Sequence, residues 1–396
     1  MTQTNAMPPA RGRQFLHTPG PTMMPDRILR AMDRPALDHR GPEFRAIAEH
    51  CHEGLKRVFR TEAPVLILPA AGHGAWEAAL ANTCAPGERV LMAETGAFSA
   101  MWKGMAEALG LVVEELSGDW RHGVDPAAVE AHLAADRDRR IKAVAVVHNE
   151  TSTGVTSRLA EVRRAIDASG HPALLIADTI SSLASIDFRM DEWGVDVAIG
   201  GSQKGLMLPP GMSFNAVGDK ALRAAQAVTT ARSYWDWRLM LPDGTTPTFT
   251  CTPAINLMFG LAEALDMLEE EGLEACLARH ARLAEAVRRA VAGWGLELWS
   301  KDAREHSNSI SAVLMPDGHD ADALRSLCRE RFNLVLAGGL MRLKGRLFRI
   351  GHLGDLNEPM ILGTLATVEM GLRAAGVPHR PGGVDAAIAY LAEHGA

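Results

Sequence analysis

Residues 23–268 alternate between two patterns of apolar and polar positions. Segments 25–32 and 43–59 carry apolar residues at helical spacing. A run of four apolar residues, 65–68 (VLIL), ends in Pro-Ala-Ala-Gly and leads into a helical pattern at 75–80. Residues 90–92 read as the next strand, 99–109 as a helix and 112–115 as another strand. Two uninterrupted apolar runs, 143–147 (AVAVV) and 174–177 (LLIA), flank the amphipathic stretch 159–168, and 195–200 supplies a further short strand. Continuous apolar strands alternating with helices predict an α/β fold, its mostly parallel sheet covered by helices on both faces.

The pattern then changes. A helical region spans roughly 254–292, with one break at Glu271-Gly272. Short strands at 309–314, 334–337 and 347–350 follow, interleaved with helices at 321–331 and 360–375. This predicts a smaller α+β domain, and the expected division is an N-terminal arm (1–22), a large domain (23–278) and a small C-terminal domain (279–396).

Composition narrows the function classes. A net charge of −7 and a pI near 6.1 argue against nucleic acid, which calls for basic patches. No apolar run approaches the length of a membrane span, and residues 1–15 lack the apolar core of a signal peptide, so a cytoplasmic protein is expected. The five cysteines form no CxxC pair and read as reduced thiols. The fifteen histidines include no HExxH, so no metal site is expected.

Only seven lysines occur, and six sit beside charged residues, in polar turns or on predicted helix surfaces. Lys204 instead lies in GGSQKGLMLPPG (200–211), between small residues and an apolar, proline-stiffened loop. A desolvated ammonium has a lowered pKa, which makes the amine a usable nucleophile toward carbonyls; a lysine snorkelling from a surface loop is the plain alternative. Ligands of open α/β sheets collect at the carboxyl ends of the strands. Those ends here offer Ala70-Ala71-Gly72-His73-Gly74, Gly96-Ala97-Phe98, the stretch HNETSTG (148–154), Asp178 and Lys204. Taken singly, each reads as a turn, a core residue or a helix cap. The dinucleotide motif GxGxxG fails because Glu77 stands at its third glycine, and GGSQKG does not supply a P-loop. A lysine for a Schiff base, an acid for a pyridinium nitrogen and a small-residue loop for a phosphate are together what pyridoxal phosphate requires.

At these residues the chain resembles the class V aminotransferases of the fold-type I pyridoxal-phosphate enzymes, specifically the alanine/serine–glyoxylate aminotransferase group. The likeness covers nearly the whole chain through TPGPT (18–22), DHRGPEF (38–44), GHGAWE (72–77), HNETSTG (148–154), ADTISSL (177–183), GSQKGLMLPPG (201–211) and FRIGHLG (348–354). The resemblance implies that Lys204 carries the cofactor and shuttles the substrate proton, while Asp178 pairs with the pyridinium nitrogen. It implies that Phe98 stacks on the cofactor ring and that Thr151 contacts the ring oxygen. Gly72, His73 and Gln203 would hold the phosphate, and Thr252 would reach the phosphate of a neighbouring subunit, making the protein a homodimer with sites at its interface. Arg349 would clamp the substrate α-carboxylate, and Gly20 would let the N-terminal segment approach the substrate.

Two positions depart from the family pattern: Ala71 stands where Ser or Thr is usual, and Phe249 where tyrosine is frequent. Both remove hydroxyl donors from the phosphate site. The activity implied is transfer of an amino group from a small L-amino acid, serine or alanine, to glyoxylate or another small 2-oxo acid. Aspartate is the alternative donor, with Arg40 as the extra cation. A remote alternative, a cysteine desulfurase of the same fold, would need a mobile thiol for which Cys328 is the C-terminal candidate. The stretch Tyr234-Trp235-Asp236-Trp237-Arg238 is expected either at the site mouth or in interface packing.

Overall fold

The computed structural model describes residues 12–243 and 247–395. In chain order its first elements are β1 (Phe15–His17), α1 (Asp26–Met32), α2 (Pro42–Phe59), β2 (Val65–Leu68), α3 (Gly72–Thr83), β3 (Arg89–Ala93), α4 (Ala97–Ala108) and β4 (Val112–Leu116). There follow α5 (Pro126–Ala135), β5 (Ile141–Val147), the short pair β6 (Asn149–Glu150) and β7 (Val155–Thr156), α6 (Leu159–Ala168), β8 (Leu174–Asp178), β9 (Val197–Gly201), β10 (Ser213–Val217), α7 (Asp219–Ala227) and α8 (Trp237–Met240). The remainder comprises α9 (Ile255–Glu271), α10 (Leu273–Trp294), β11 (Glu297–Leu298), β12 (Ile310–Leu314), α11 (Ala321–Phe332), β13 (Leu334–Gly338), β14 (Leu347–Gly351), α12 (Glu358–Ala374) and α13 (Gly383–His394).

Seven strands form the larger sheet in the order β2-β10-β9-β8-β5-β3-β4. All run parallel except β10, which pairs antiparallel with both β2 and β9. The pleat explains the continuous apolar runs. In β2, Val65 and Ile67 pack on one face with α2, α6 and α9, while Leu66 and Leu68 pack on the other with α3, α4 and α7. β5 divides likewise, Val144 and Val146 to the first face and Ala143, Ala145 and Val147 to the second. A strand covered on both sides has no use for polar positions.

The second sheet has the order β1-β13-β14-β12-β11. Its core comes from one stripe of α10 (Leu283, Ala286, Val287, Ala290, Val291 and Trp294, at helical spacing) packed with α11, α12 and α13. The break expected at Glu271-Gly272 is real: Gly272 has φ +83° and separates α9 from α10. β1 was not apparent from the sequence, and it joins this sheet by pairing parallel with β13, Phe15 opposite Leu334. The described part of the N-terminal arm, residues 12–22, is thereby tied to the second sheet; residues 1–11 of the expected arm lie outside the described residues.

Candidate active site

The carboxyl ends of β2, β3, β5, β8 and β9 lie on one edge of the larger sheet, because β2 and β9 are both antiparallel to the strand between them. Asp178 is the last residue of β8, and Lys204 follows the end of the adjacent β9 by three residues. Lys204 is the one buried lysine among the described residues. Burial pushes its pKa down to about 8, assisted by the Arg349 guanidinium and opposed by Asp178 and Glu150. Its Nζ donates to the carbonyl of Pro19, in the segment after β1. Gly20, with φ +109°, brings that segment close enough that a Cβ there would lie 2.6 Å from Lys204 Cε and Nζ.

Asp178 is buried, and one carboxylate oxygen accepts from the Ile180 backbone N–H at 2.7 Å. Its pKa rises to about 7, chiefly through burial and also through Glu150, against the lowering effect of Ile180, Trp76 and Lys204. Trp76 sits near enough to act on Asp178, yet its indole Nε1 is buried without a well-formed hydrogen bond. The Trp76 ring also faces His73 at 4.5 Å and Phe98 at 6.5 Å between centroids.

Arg349, in the middle of β14, is buried; its Nε donates to Gly338 O at 2.8 Å and its Nη1 to Thr151 O at 2.7 Å. Burial lowers its pKa to about 10. The Thr151 hydroxyl donates to Ser181 Oγ at 2.8 Å. Lys204, Arg349, Thr151, Phe98 and Gly20 share one cavity of about 640 Å³, whose wall includes Gly338 of the second sheet and Gly339 just beyond it. A site between two sheets thus places a cation for a carboxylate opposite a lysine for a carbonyl.

Gly72 and His73 do not form a loop ahead of the helix, as the sequence suggested, but are the first turn of α3. The N-cap, Ala71, is extended and has no side-chain oxygen, so the leading N–H groups of the helix are uncapped by any side chain. A Cβ on Gly72 would overlap Ile180, so the turn closes directly over that side chain. Gln203 has a buried Oε1 with no hydrogen-bond partner among the described residues.

Three of the predicted residues stand elsewhere in this chain. Arg40 is exposed and lines a separate groove of about 670 Å³ together with Phe44, His52 and Phe249. Phe249 packs 6.0 Å from Phe44 and 6.1 Å from His52, far from a role in this chain's α3 turn. Thr252 is exposed. In the aromatic stretch, Trp235 lies against Gly74 of the α3 turn, Asp236 caps α8 and Trp237 is buried, and none of them lines the Lys204 cavity. Cys328 is buried within α11, and burial pushes its thiol up to about 11.

Four participants escaped the sequence reading. Pro19 and Ile180 act through a backbone carbonyl and an aliphatic surface, which leave no chemical mark in a sequence. Trp76 lies within the quoted GHGAWE. Glu150 lies within HNETSTG: fully buried, it accepts from Ser99 N (3.0 Å), Ser152 N (3.0 Å) and Ser152 Oγ (2.6 Å), fastening the first turn of α4. A carboxylate amid Ser and Thr after a buried strand was the available signal.

The family model "Aminotransferase class-V" matches residues 14–341. The chain is 48% identical over 390 residues to a serine–glyoxylate aminotransferase of Methylorubrum extorquens, covering 97% of each chain. It is 43% identical over 371 residues to an L-aspartate–glyoxylate aminotransferase of Paracoccus denitrificans, covering 93% of this chain and 94% of the relative. Among solved structures, the ureidoglycine–glyoxylate aminotransferase of Bacillus subtilis superposes with a TM-score of 0.90 at 27% identity, over 97% of this chain and 99% of that one.

Proposed function

Because the chain belongs to the class-V aminotransferase family, we propose that it moves the amino group of a small L-amino acid, serine first and alanine second, to glyoxylate. The observation that carries this reading is the convergence of Lys204 and Arg349 in one cavity, with Asp178 at the adjacent strand end. Relatives that cover nearly all of the chain support glyoxylate as acceptor. Aspartate is the second donor reading, favoured by the relative from Paracoccus denitrificans.

The residues fit pyridoxal phosphate. The uncapped start of α3 offers backbone N–H groups and the positive end of a helix dipole to a phosphate. Gln203 breaks no Oε1 hydrogen bond among the described residues when its amide turns. Asp178, Phe98 and Ile180 supply an acid and two apolar surfaces of the kind a protonated pyridine ring needs. When bound, the cofactor provides the electron sink that lets a substrate lose its Cα proton. Lys204 Nζ, which burial already makes easier to deprotonate in the cofactor-free protein, would move that proton. Arg349 would hold the α-carboxylate and Thr151 and Phe98 would orient the ring, while the Pro19–Gly20 segment forms part of the cavity wall.

We assign Thr252, Arg40 and Phe249 to contacts with a second copy, in a cytoplasmic homodimer whose sites lie at the subunit interface. Their exposed or groove-lining positions support this. The division into residues 23–278 and 279–396 falls inside α10, so we take that helix as the joint between the two domains. Near its start, Cys276 Sγ lies 3.5 Å from Ala184 O in the large domain, while the rest of the helix serves the second sheet.

The test is single-turnover reaction of the pyridoxal-phosphate-loaded protein with serine, alanine and aspartate, followed by glyoxylate. Serine should react fastest, and Lys204→Ala should abolish both turnover and the visible absorbance of the bound cofactor. A Lys204→Ala protein that still turns over would exclude the assigned role.

A further inference from the structure

The wall of the Lys204 cavity holds a second arginine that the activity so far leaves unused. Arg325 of α11 lines the cavity with Asp322, one helical turn earlier. Its Nη1 donates to Asp322 Oδ1 at 2.6 Å and its Nε to Leu336 O at 2.9 Å. Arg325 Nη2 and Asp322 Oδ2 make no hydrogen bond among the described residues, although about a third of each side chain is exposed. Gly338 keeps the two arginines apart and close: Arg349 bonds its carbonyl at 2.8 Å, and a Cβ there would lie 2.5 Å from Arg325 Nη1 and 2.9 Å from Asp322 Oδ1. A molecule whose carboxylate sits on Arg349 therefore has its other end within reach of the Asp322–Arg325 pair.

Resting on the transaminase reading above, we propose that this pair is the specificity determinant for the donor's side chain, and that it selects a hydroxyl. The pair is neutral overall and presents a free N–H beside a free carboxylate oxygen. A hydroxyl accepts from the first and donates to the second, so it satisfies both at once. A methyl group satisfies neither and takes water from both. A second carboxylate is drawn to Arg325 but repelled by Asp322 at nearly the same distance. The order expected is serine above alanine and aspartate.

The experiment measures kcat/KM for serine, alanine and aspartate on the cofactor-loaded wild type, Asp322→Asn and Arg325→Gln. Ratios between donors within one variant cancel any loss of folded or loaded protein. Asp322→Asn, nearly isosteric, should lower serine relative to aspartate by about tenfold or more: its one amide oxygen stays on Arg325 Nη1, an NH2 donor takes the place of Oδ2, and the hydroxyl's acceptor and the repulsion go together. Arg325→Gln should lower serine relative to alanine by a similar factor. Ratios that stay within about threefold of wild type in both variants, or a wild type that prefers aspartate, would overturn the assignment. A wild type inactive with every donor and glyoxylate would instead refute the transaminase reading, and the inference would go with it.

Discussion

Arg349 illustrates what a single side chain must do here. Two of its nitrogens are already spent on the carbonyls of Gly338 and Thr151, which fix the plane of the guanidinium; on the proposed reading Nη2 is the nitrogen left for a substrate carboxylate. A lysine in its place keeps the charge but loses that plane. Arg349→Lys should therefore lower kcat/KM for every amino acid and 2-oxo acid alike. The fall should be roughly ten- to a hundredfold, the worth of one charge-assisted hydrogen bond at about 1.5–3 kcal/mol. Steady-state kinetics with serine and with glyoxylate check it; a defect confined to one substrate would mean that Arg349 reads a side chain. At this scale the sequence was most legible where chemistry is rare. Lys204 stood out because lysine is scarce and its neighbours are apolar, whereas Pro19 and Ile180 act through groups that every residue or any aliphatic one possesses.

Among the elements, α3 has an unusual beginning. Its N-cap is Ala71, so no side chain competes for the N–H groups of the first turn. Ala71→Ser should stabilise the cofactor-free protein by about 1 kcal/mol as an ordinary cap. In the loaded protein the same hydroxyl can donate to the phosphate, so cofactor loss on dialysis should slow by about tenfold or more. Thermal melting without cofactor and dialysis with it measure the two effects separately. Slower loss with an unchanged melt would show the hydroxyl working on the ligand alone; no change in either would mean that the serine turns away from the helix. The buried parallel strands and the long helices were readable because both faces of the sheet and one stripe of each helix must be apolar. β1 was not, since three residues at an edge carry too little pattern. Nor was β10, whose Ser213 and Asn215 are polar yet buried within an otherwise apolar sheet.

For the whole molecule, the buried charges make stability depend on pH. The folded pKa of Asp178 is raised to about 7, so between its unfolded value near 3.8 and pH 7 the folded cofactor-free protein binds more protons than the unfolded chain. This group's contribution to stability is therefore largest at acidic pH and declines as pH rises toward 7, at up to about 1.4 kcal/mol per pH unit. Asp178→Asn removes this contribution. Comparing melting temperatures of the two cofactor-free proteins from pH 5 to 7, the variant should gain on the wild type as pH rises. Parallel curves would show that Asp178 does not titrate in that range. In the loaded enzyme a pyridinium partner would favour the charged carboxylate, so the same substitution should weaken cofactor binding at neutral pH.

The pairing of Phe15 with Leu334 has a further consequence, in the order of events during synthesis. β1 can find its partner only after everything up to β13 has been made. Until then Pro19 and Gly20, which wall the cavity and hold Lys204, have no sheet to fix them. The large sheet can assemble from contacts between neighbours in sequence, but the cavity around Lys204 is walled by a segment held through the longest-range strand pairing among the described residues. Long-range pairings form late and slowly, so the enzyme acquires its core early and its activity last.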